Sequence, residues 1–218
     1  MDDRALQAVN RAWWDERVAA CLTGQFYDID GFLAGRSTAD PAGIAAEFAE
    51  ANVYNAVEVL GRRTFDVVYT SIGSIIWLPD IARWACTVAA LLAPGGRFYM
   101  AEFHPFSAVL GEEDLTVTDS YFDGGPILSD EPGSYAAAGA KTVNDRSVTW
   151  NHRLGTVNRA LAQAGLSIEF LHEYPFTLRA RWPFLERRAD RTYHTPAGRP
   201  EVPLPYSVKA VKPAAGPR

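Results

Sequence analysis

Hydrophobic side chains recur at helical spacing in three stretches of the chain. Leu6, Val9 and Trp13 lie three and four residues apart and predict an amphipathic helix. A second apolar stretch begins at Asp80, a suitable N-cap, and stops at Pro94, where proline and the following glycines end a helix. The predicted helices cover residues 3–20, 80–93 and 150–164.

Short apolar runs rich in β-branched and aromatic residues alternate with these helices and predict strands. Phe65–Thr70 and Arg97–Phe103 lie on either side of the second helix. Two strands joined by a helix form a parallel βαβ unit, and such strands are usually buried on both faces. Further strands are expected at Ala46–Ala51, Ser167–His172 and Tyr206–Lys212.

The remaining stretches lack clear periodicity. Residues 24–37 are expected to form a loop, and residues 176–205 form an excursion rich in proline and arginine. Residues 107–148 are long for a structureless connection, which favours an active-site cap or a partner-binding insert. We expect one domain over residues 1–218, with a helical lead-in and loop (1–44), a residual βαβ core (45–106), a cap insert (107–148) and a C-terminal helix and strand pair (149–213).

Four motifs follow one another within Phe65–Phe106: FDVVYT, SIGSIIWLPD, LLAPGGRF and AEFHPF. This segment resembles the later half of the catalytic domain of class I S-adenosylmethionine-dependent methyltransferases. NRAWWDERV and FYDIDGFLAGRST resemble the lead-in of one bacterial branch of that family, and WNHRLGTVNRALAQAGLSIEFLHEYPF and PLPYSVKAVKP resemble its C-terminal elements. The resemblance covers most of the chain and implies an α/β fold with a Rossmann-like sheet and helices on both faces.

The cofactor-binding half of that family has no counterpart in this sequence. In the family it supplies a glycine-rich turn and an acid for the ribose hydroxyls, within a unit of roughly 30 residues or more. Only six residues separate Thr38 from Ala45, and no G-x-G-x-x-G pattern occurs. Asn52 stands where the family commonly places an aspartate that faces adenine, and Asn55 replaces another commonly acidic position. We therefore expect an incomplete sheet without its first strands, and no cofactor unless a partner chain supplies the missing segment.

The missing strands would leave the Phe65–Thr70 strand at the edge of the sheet. In the family this strand lies beside the first strand, near the sheet centre. Val67, Val68 and Tyr69 would then form an exposed apolar edge, and such edges pair readily with other chains. We expect an oligomer, with a second protein chain that completes the sheet as the preferred partner and a homodimer as the alternative.

Composition narrows the function further. The chain has 218 residues, 48% hydrophobic and 22% charged, an ordinary balance for one globular domain. No apolar run is long enough to span a membrane. Cys21 and Cys86 fit no metal site and are expected to be reduced thiols in a cytoplasmic protein.

Charge is distributed unevenly along the chain. Residues 1–152 contain 10 basic and 21 acidic side chains, a net charge of −11, whereas residues 153–218 contain 11 and 5, a net charge of +6. The basic part would attract a small anionic substrate or an acidic partner, or it consists of solvated surface arginines. Nucleic-acid binding is not expected, because the whole chain is acidic and no recognised binding module is present.

Candidate chemistry lies after the second strand of the βαβ unit, because ligands bind beyond the carboxyl ends of strands in open α/β sheets. Glu102 and His104 stand at this position. Histidine is suited to act as a general base near neutral pH, and a carboxylate acts as a base or orients one. The alternative is structural: Glu102 caps a neighbouring loop and His104 packs against Pro105.

A second candidate group lies at the start of the third predicted helix, where backbone N–H groups favour anions. Trp150 would stack against a substrate, Asn151 would contact it, and His152 would donate a proton to a leaving group. The alternative is that Asn151 is only the helix N-cap and Trp150 is a core residue.

The resemblance implies that the lead-in loop folds over the cofactor's amino-acid end or the substrate. Tyr27 and Arg36 lie in this loop, and an arginine can clamp a carboxylate, sulfate or phosphate. A surface arginine is the alternative. Tyr54 and Tyr121 would line the same cavity, or be buried tyrosines with one hydrogen-bond partner each. No residues have convincing spacing for a metal site.

These features favour a repurposed methyltransferase-like subunit that acts without S-adenosylmethionine. With a partner chain it would carry out acid–base elimination, cyclisation or displacement on a small anionic metabolite, as in bacterial secondary metabolism. Glu102 or His104 would be the base, and His152 or Arg36 would stabilise the leaving anion. Two alternatives remain: a methyltransferase that uses S-adenosylmethionine and is completed by a partner chain, and a non-catalytic stabilising subunit.

Overall fold

A computed structural model describes residues 2–23, 49–134, 136–137 and 139–214. The chain divides into two compact units, a smaller one of Met1–Glu50 with Pro126–Thr149 and a larger one of Ala51–Gly125 with Trp150–Arg218. The division passes through residues 107–148, the segment that the sequence predicts to be a single insert. The loop predicted at 24–37 lies outside the described residues.

Among the described residues, the three predicted helices and four of the five predicted strands are present in the predicted order, together with one short helix and five strands that the sequence analysis did not predict. The helices are α1 (Asp3–Thr23), α2 (Ala56–Val59), α3 (Ile81–Leu91) and α4 (Leu154–Gln163). The strands are β1 (Phe65–Thr70), β2 (Leu92–Phe103), β3 (Pro126–Asp130), β4 (Arg146–Trp150), β5 (Ser167–Glu173), β6 (Phe176–Thr177), β7 (Glu186–Arg187), β8 (Tyr193–His194) and β9 (Pro205–Val211). No helix in the described part of the chain combines the length and apolar character needed to cross a bilayer.

The larger unit contains a four-stranded sheet in the order β1-β2-β9-β5. β1 and β2 are parallel, as predicted, and Val68 and Tyr69 are in register with Phe98 and Tyr99. β9 runs antiparallel to both β2 and β5. β2 and β5 therefore point the same way although they are not neighbours, and β1 lies at the edge of the sheet.

Helices α3 and α4 pack on the same face of this sheet. The side chain of Asp80 accepts the N–H of Arg83 at 2.9 Å and caps α3, as the sequence predicts. Trp84 of α3 packs edge-on against Phe98 of β2, with 5.6 Å between ring centroids. The core of this layer consists of apolar side chains from both helices and from alternate positions of β2 and β9, including Ile81, Val88, Met100, Val157, Leu161 and Val208.

The irregular start of β2, opposite Phe65 and Asp66 of β1, depends on one glycine. A Cβ on Gly96 would lie 2.8 Å from the carbonyl oxygen of Ala93, closer than such contacts occur, and 3.0 Å from that of Phe65. Lys212 stabilises the junction of α3 and β2, because its Nζ donates to the carbonyls of Ala89 and Leu92 at 2.8 Å. A lysine at a helix C-terminus supplies the hydrogen bonds that the last carbonyls lack.

The proline- and arginine-rich excursion forms a small sheet of its own, in the order β6-β8-β7. Behind it lies a second apolar cluster of Leu110, Trp182, Leu185 and Leu204. Trp182 has no exposed surface. The excursion is therefore packed against the segment that follows β2.

In the smaller unit α1 packs on the β3–β4 hairpin. Asn10 of α1 exchanges two hydrogen bonds of 2.7 Å with the backbone of Val148. Arg17 is fully buried, and its guanidinium donates to the carbonyls of Trp13, Glu131 and Asn144 at 3.0 Å. A buried guanidinium needs such acceptors, so Arg17 fixes this hairpin to the helix.

Two predicted elements, the third helix and the strand at Ala46–Ala51, differ from the structure. The third helix begins at Leu154 rather than at Trp150, because Trp150 ends strand β4. Asn151 is therefore not the N-cap, a position that Arg153 occupies without a side-chain hydrogen bond. The described part of the strand predicted at Ala46–Ala51, residues 49–51, forms no strand.

Candidate active site

The carboxyl ends of β1, β2 and β5 meet at one edge of the sheet, because these three strands run in the same direction. The segments that leave this edge are residues 71–80 after β1 and residues 104–107 after β2. Polar side chains at this edge are therefore placed where open α/β sheets bind ligands.

Glu102 holds the segment that follows β1. Its side chain is buried, and Oε1 accepts the N–H groups of Gly73 and Phe103 at 2.6 and 2.7 Å. Oε2 accepts the N–H of Ile75 at 3.0 Å. Burial raises the pKa of Glu102, while these N–H groups oppose the rise. Both oxygens are occupied, so the geometry matches the loop-capping alternative more closely than a free base.

His104 pairs with Glu173, a residue that the sequence analysis missed. Nδ1 of His104 accepts the N–H of Phe106 at 3.1 Å, so the proton of the neutral ring is on Nε2. Oε1 of Glu173 lies 2.8 Å from Nε2, and this contact becomes an ion pair when His104 is protonated. Burial lowers the pKa of His104, and Glu173 opposes this. The signal for Glu173 was its place at the carboxyl end of a predicted strand, but only the fold brings it beside His104.

His152 and Asn151 connect the start of α4 to the two loops at the sheet edge. Nε2 of His152 donates to the carbonyl of Leu78 at 2.8 Å, and the amide of Asn151 donates to the carbonyl of Pro105 at 3.1 Å. Burial lowers the pKa of His152. Because its Nε2 carries the proton, the lone pair of the neutral ring is on Nδ1.

Tyr206 brings a buried hydroxyl to the same region. It is the β9 partner of Glu102 in the sheet register, and its ring packs edge-on against His104 with 5.9 Å between centroids. Among the described residues the hydroxyl has no hydrogen-bond partner. Burial, with smaller effects of Glu102 and Tyr121, raises its pKa, so the hydroxyl stays protonated.

The other predicted site residues lie nearby in the larger unit. Trp150 is buried. The hydroxyl of Tyr54 accepts the N–H of Asp80 at 2.9 Å, and Tyr121 packs edge-on against Phe106 at 6.4 Å between centroids. The side chain of Asn52 accepts the N–H of Tyr54 at 3.0 Å and caps a short turn.

Two predicted site residues lie outside the described part of the chain, Tyr27 and Arg36. A different arginine, Arg179, lies at the site edge, with its guanidinium 5.2 Å from the ring centroid of Phe103. Among the described residues no group of three or more histidine, cysteine or acidic side chains is arranged to hold a metal ion.

Solved structures of methyltransferases have a similar fold. A protein from Listeria monocytogenes, described as an S-adenosylmethionine-dependent methyltransferase, is 14% identical over 86% of this chain and 77% of its own, with a TM-score of 0.54. One from Methanosarcina mazei is 16% identical over 84% and 76%, with a TM-score of 0.48. One from Mesorhizobium loti is 24% identical over 69% of this chain, which spans 62% of that protein, with a TM-score of 0.46.

Sequence comparison adds no relative to these. No protein-family model matches the sequence, and neither does any curated protein. Similarity at these low identities establishes a fold and not an activity. The fold assignment rests on the Listeria structure, whose TM-score exceeds 0.5. The parallel pair β1 and β2, the antiparallel β9 between β2 and β5, and this similarity show that the chain has a class I methyltransferase-like fold, as its motifs predict.

Proposed function

We propose that this chain is part of an S-adenosylmethionine-dependent methyltransferase whose cofactor-binding segment comes from a partner chain. The observation that carries the proposal is the position of β1, an edge strand with Val67 62% and Tyr69 59% exposed, in a methyltransferase-like fold. Because the similar structure from Listeria monocytogenes is described as an S-adenosylmethionine-dependent methyltransferase, this alternative is favoured over the cofactor-independent reaction that the sequence suggested.

The described residues do not by themselves form a cradle for S-adenosylmethionine. No described strand pairs with the outer side of β1. The side chain of Asn52, which by resemblance stands at the adenine-facing position, is already engaged by the N–H of Tyr54. The partner chain would have to bring both the glycine-rich turn and the acid for the ribose hydroxyls.

His152 is the residue of this chain best suited to take a proton from the substrate. Both oxygens of Glu102 accept backbone N–H groups, and both ring nitrogens of His104 have partners. Nε2 of His152 makes the bond to Leu78, and burial lowers the pKa of the ring although the backbone carbonyls of Leu78 and Ile75 oppose this, so the ring is neutral at physiological pH. Nδ1 would therefore accept the proton that the substrate's nucleophilic atom loses.

The remaining residues of the site would position an anionic substrate. Asn151 and Glu102 fix the two loops at the sheet edge. Arg179, above the ring of Phe103, would attract a carboxylate, sulfate or phosphate on the substrate.

Titration calorimetry with S-adenosylmethionine tests whether cofactor binding requires the partner chain. The chain alone should release no heat, and the chain co-expressed with its partner should bind one equivalent of cofactor per complex. Micromolar binding by the isolated chain would refute the proposal.

A histidine variant tests the assignment of the base in the assembled complex. His152→Gln should lower kcat about a hundredfold or more, the usual contribution of a general base. Glu186→Gln is the control, because Glu186 is exposed on β7 and belongs to neither the site nor the β1 edge, and it should leave kcat unchanged. Equal kcat values for the two variants would show that His152 is not the general base.

A second candidate function, acid–base chemistry without a cofactor, is favoured by the His104–Glu173 pair at the same edge. If the complex converts its substrate at an undiminished rate without S-adenosylmethionine, this second function replaces the first. If Glu102→Gln, His104→Gln and His152→Gln all leave the activity of the complex unchanged, the chain is a stabilising subunit.

A further inference from the structure

A row of aromatic rings crosses the sheet face opposite α3 and α4. Tyr69 stacks on Tyr99 with 6.1 Å between centroids, Tyr99 meets Phe170 edge-on at 6.4 Å, and Phe170 stacks on His172 at 4.3 Å. Side chains alternate between the two faces of a strand, and Val68 and Phe98 pack into the helix-covered core, so this row lies on the other face. We call these four residues the aromatic row.

Much of the aromatic row is accessible. Tyr69 and its neighbour Val67 are both more than half exposed, and His172 is exposed as well. Tyrosine and other aromatic residues are enriched at protein interfaces, where they bury a large area at a small cost in conformational entropy. An accessible aromatic surface on a single chain marks an interaction site.

The aromatic row continues into the unpaired edge of β1, because Tyr69 belongs to both. Proteins that leave an edge strand exposed usually protect it with lysine, proline or an inward-pointing charge. β1 has no lysine or proline. Its one charge, Asp66, is exposed and lies at the irregularity near the start of the strand, so the backbone groups from Val67 to Thr70 have no such protection.

Positive charges lie at the amino end of β1, although the chain as a whole carries a net charge of −5. Arg97 is exposed and stands beside Val67 in the sheet register, and Arg62 is exposed just before β1. Within the described residues neither arginine has an ion pair or a side-chain hydrogen bond. Lys209 lies on the row itself, and Glu169 neutralises it at 2.7 Å.

We propose that the aromatic row and the β1 edge bind a protein segment that adds a strand to β1, covers the row with apolar side chains and carries acidic residues at its ends. This inference rests on the proposed function, because the segment would belong to the partner chain. The acidic ends would meet Arg62 and Arg97 and would mainly accelerate association.

A second copy of this chain fits the surface less well. In a two-fold symmetric dimer the two β1 strands would pair antiparallel, so the end with Arg62 and Arg97 in one copy would meet the uncharged end at Thr70 in the other. A chain with acidic residues opposite these arginines pairs their charges, which a second copy would leave unpaired. The acidic ends therefore distinguish a different partner from a homodimer.

Two synthetic peptides test the proposal directly. Both contain the same strand of alternating valine and threonine, one with glutamate ends and the other with lysine ends. Fluorescence anisotropy should give a dissociation constant about tenfold lower for the glutamate peptide than for the lysine peptide. Arg97→Glu should remove this preference, and Tyr69→Lys should weaken both peptides about tenfold or more.

Val117→Lys is the matched control, because Val117 is 61% exposed but lies away from the four-stranded sheet. It should bind both peptides like the unmodified chain. Equal affinity for the two peptides, or equal weakening by Val117→Lys and Tyr69→Lys, would overturn the proposal. Tighter binding of an oligothymidylate than of the glutamate peptide, or a concentration-dependent dimer that Tyr69→Lys dissociates, would overturn it in favour of those occupants.

The peptide experiment and the cofactor titration fail independently. Peptide binding requires no S-adenosylmethionine, so a failure there leaves the proposed methyl transfer untouched. Cofactor binding by the isolated chain would refute the proposed function while the peptide preference still reported on the surface.

Discussion

Replacing Glu102 by glutamine tests whether this carboxylate holds the loop after β1. One carboxylate oxygen accepts two backbone N–H groups, and the other accepts the N–H of Ile75. A glutamine that keeps its oxygen toward Gly73 and Phe103 turns its NH₂ toward the N–H of Ile75. Two donors then face each other in a site from which water is excluded, since Ile75 is 1% exposed.

The expected cost follows from the number of N–H groups that lose their acceptor. A buried donor without an acceptor costs about 1–3 kcal/mol. Glu102→Gln leaves one such donor and should lower the free energy of unfolding by about 2 kcal/mol. Glu102→Ala leaves three and should lower it by about 3–5 kcal/mol, a large part of the stability of a domain.

The pH dependence gives a second, independent signature. The pKa of Glu102 is raised in the folded protein, so the folded state binds this proton more tightly than the unfolded chain does. The stabilisation is complete below the unfolded pKa of 4.5 and is lost as the pH rises through the folded pKa. Glutamine does not titrate, so the deficit of Glu102→Gln should shrink over that pH range.

Urea unfolding measures the free energies, and hydrogen exchange at Gly73 and Ile75 reports on the loop itself. Glu186→Gln, an exposed position on β7, is the control and should change stability by less than about 0.5 kcal/mol. If Glu102→Gln also stays within about 0.5 kcal/mol, and both amides exchange as slowly as before, the carboxylate does not hold the loop. Glu102 would then be available as a base.

Three further predictions concern stability. Gly96→Ala should lower the free energy of unfolding by about 2–4 kcal/mol, because its Cβ meets two carbonyl oxygens. Gly155→Ala in α4, with open space around it, is the control and should be neutral or stabilising by up to about 1 kcal/mol. Urea unfolding of both variants measures the two free energies. Arg17→Met should lower the free energy of unfolding by about 2–4 kcal/mol, because it leaves buried carbonyls without donors. The exposed Arg11→Met is the control and should lower it by about 0.5 kcal/mol. Similar values for the two variants would contradict the role of Arg17. The pKa of His104 is lowered in the folded protein, so its contribution to stability is full above its unfolded pKa of 6.5 and is lost as the pH falls through the folded pKa. An NMR titration of His104 should give a midpoint below 6.5. A higher midpoint would contradict the argument that burial lowers this pKa.

Part of the candidate site could be predicted from the sequence. Glu102 and His104 were found because they follow a recognisable parallel strand, and ligands bind at the carboxyl ends of such strands. Glu173 was missed, because its approach to His104 depends on β9 lying between β2 and β5. The placement of Trp150 was wrong because an apolar residue at a strand end and one at a helix start look alike in a sequence.

The exposed aromatic row shows the same limit. Tyr69, Tyr99 and Phe170 belong to three strands that are far apart in sequence, and only the sheet register places their rings in contact. Their alternation predicts which face each ring occupies, but the neighbours on that face come from other strands.

The sequence by itself determined the βαβ unit, the Asp80 cap and the positions of β5 and β9 along the chain, because periodicity, caps and breakers act over a few residues. The tertiary structure decided which polar groups already have hydrogen-bond partners and which side chains are exposed. Both oxygens of Glu102 serve a loop about thirty residues earlier in the chain, and Arg17 is buried against a hairpin more than a hundred residues later. Such pairings depend on contacts that form only when the chain is folded, so no local pattern reveals them.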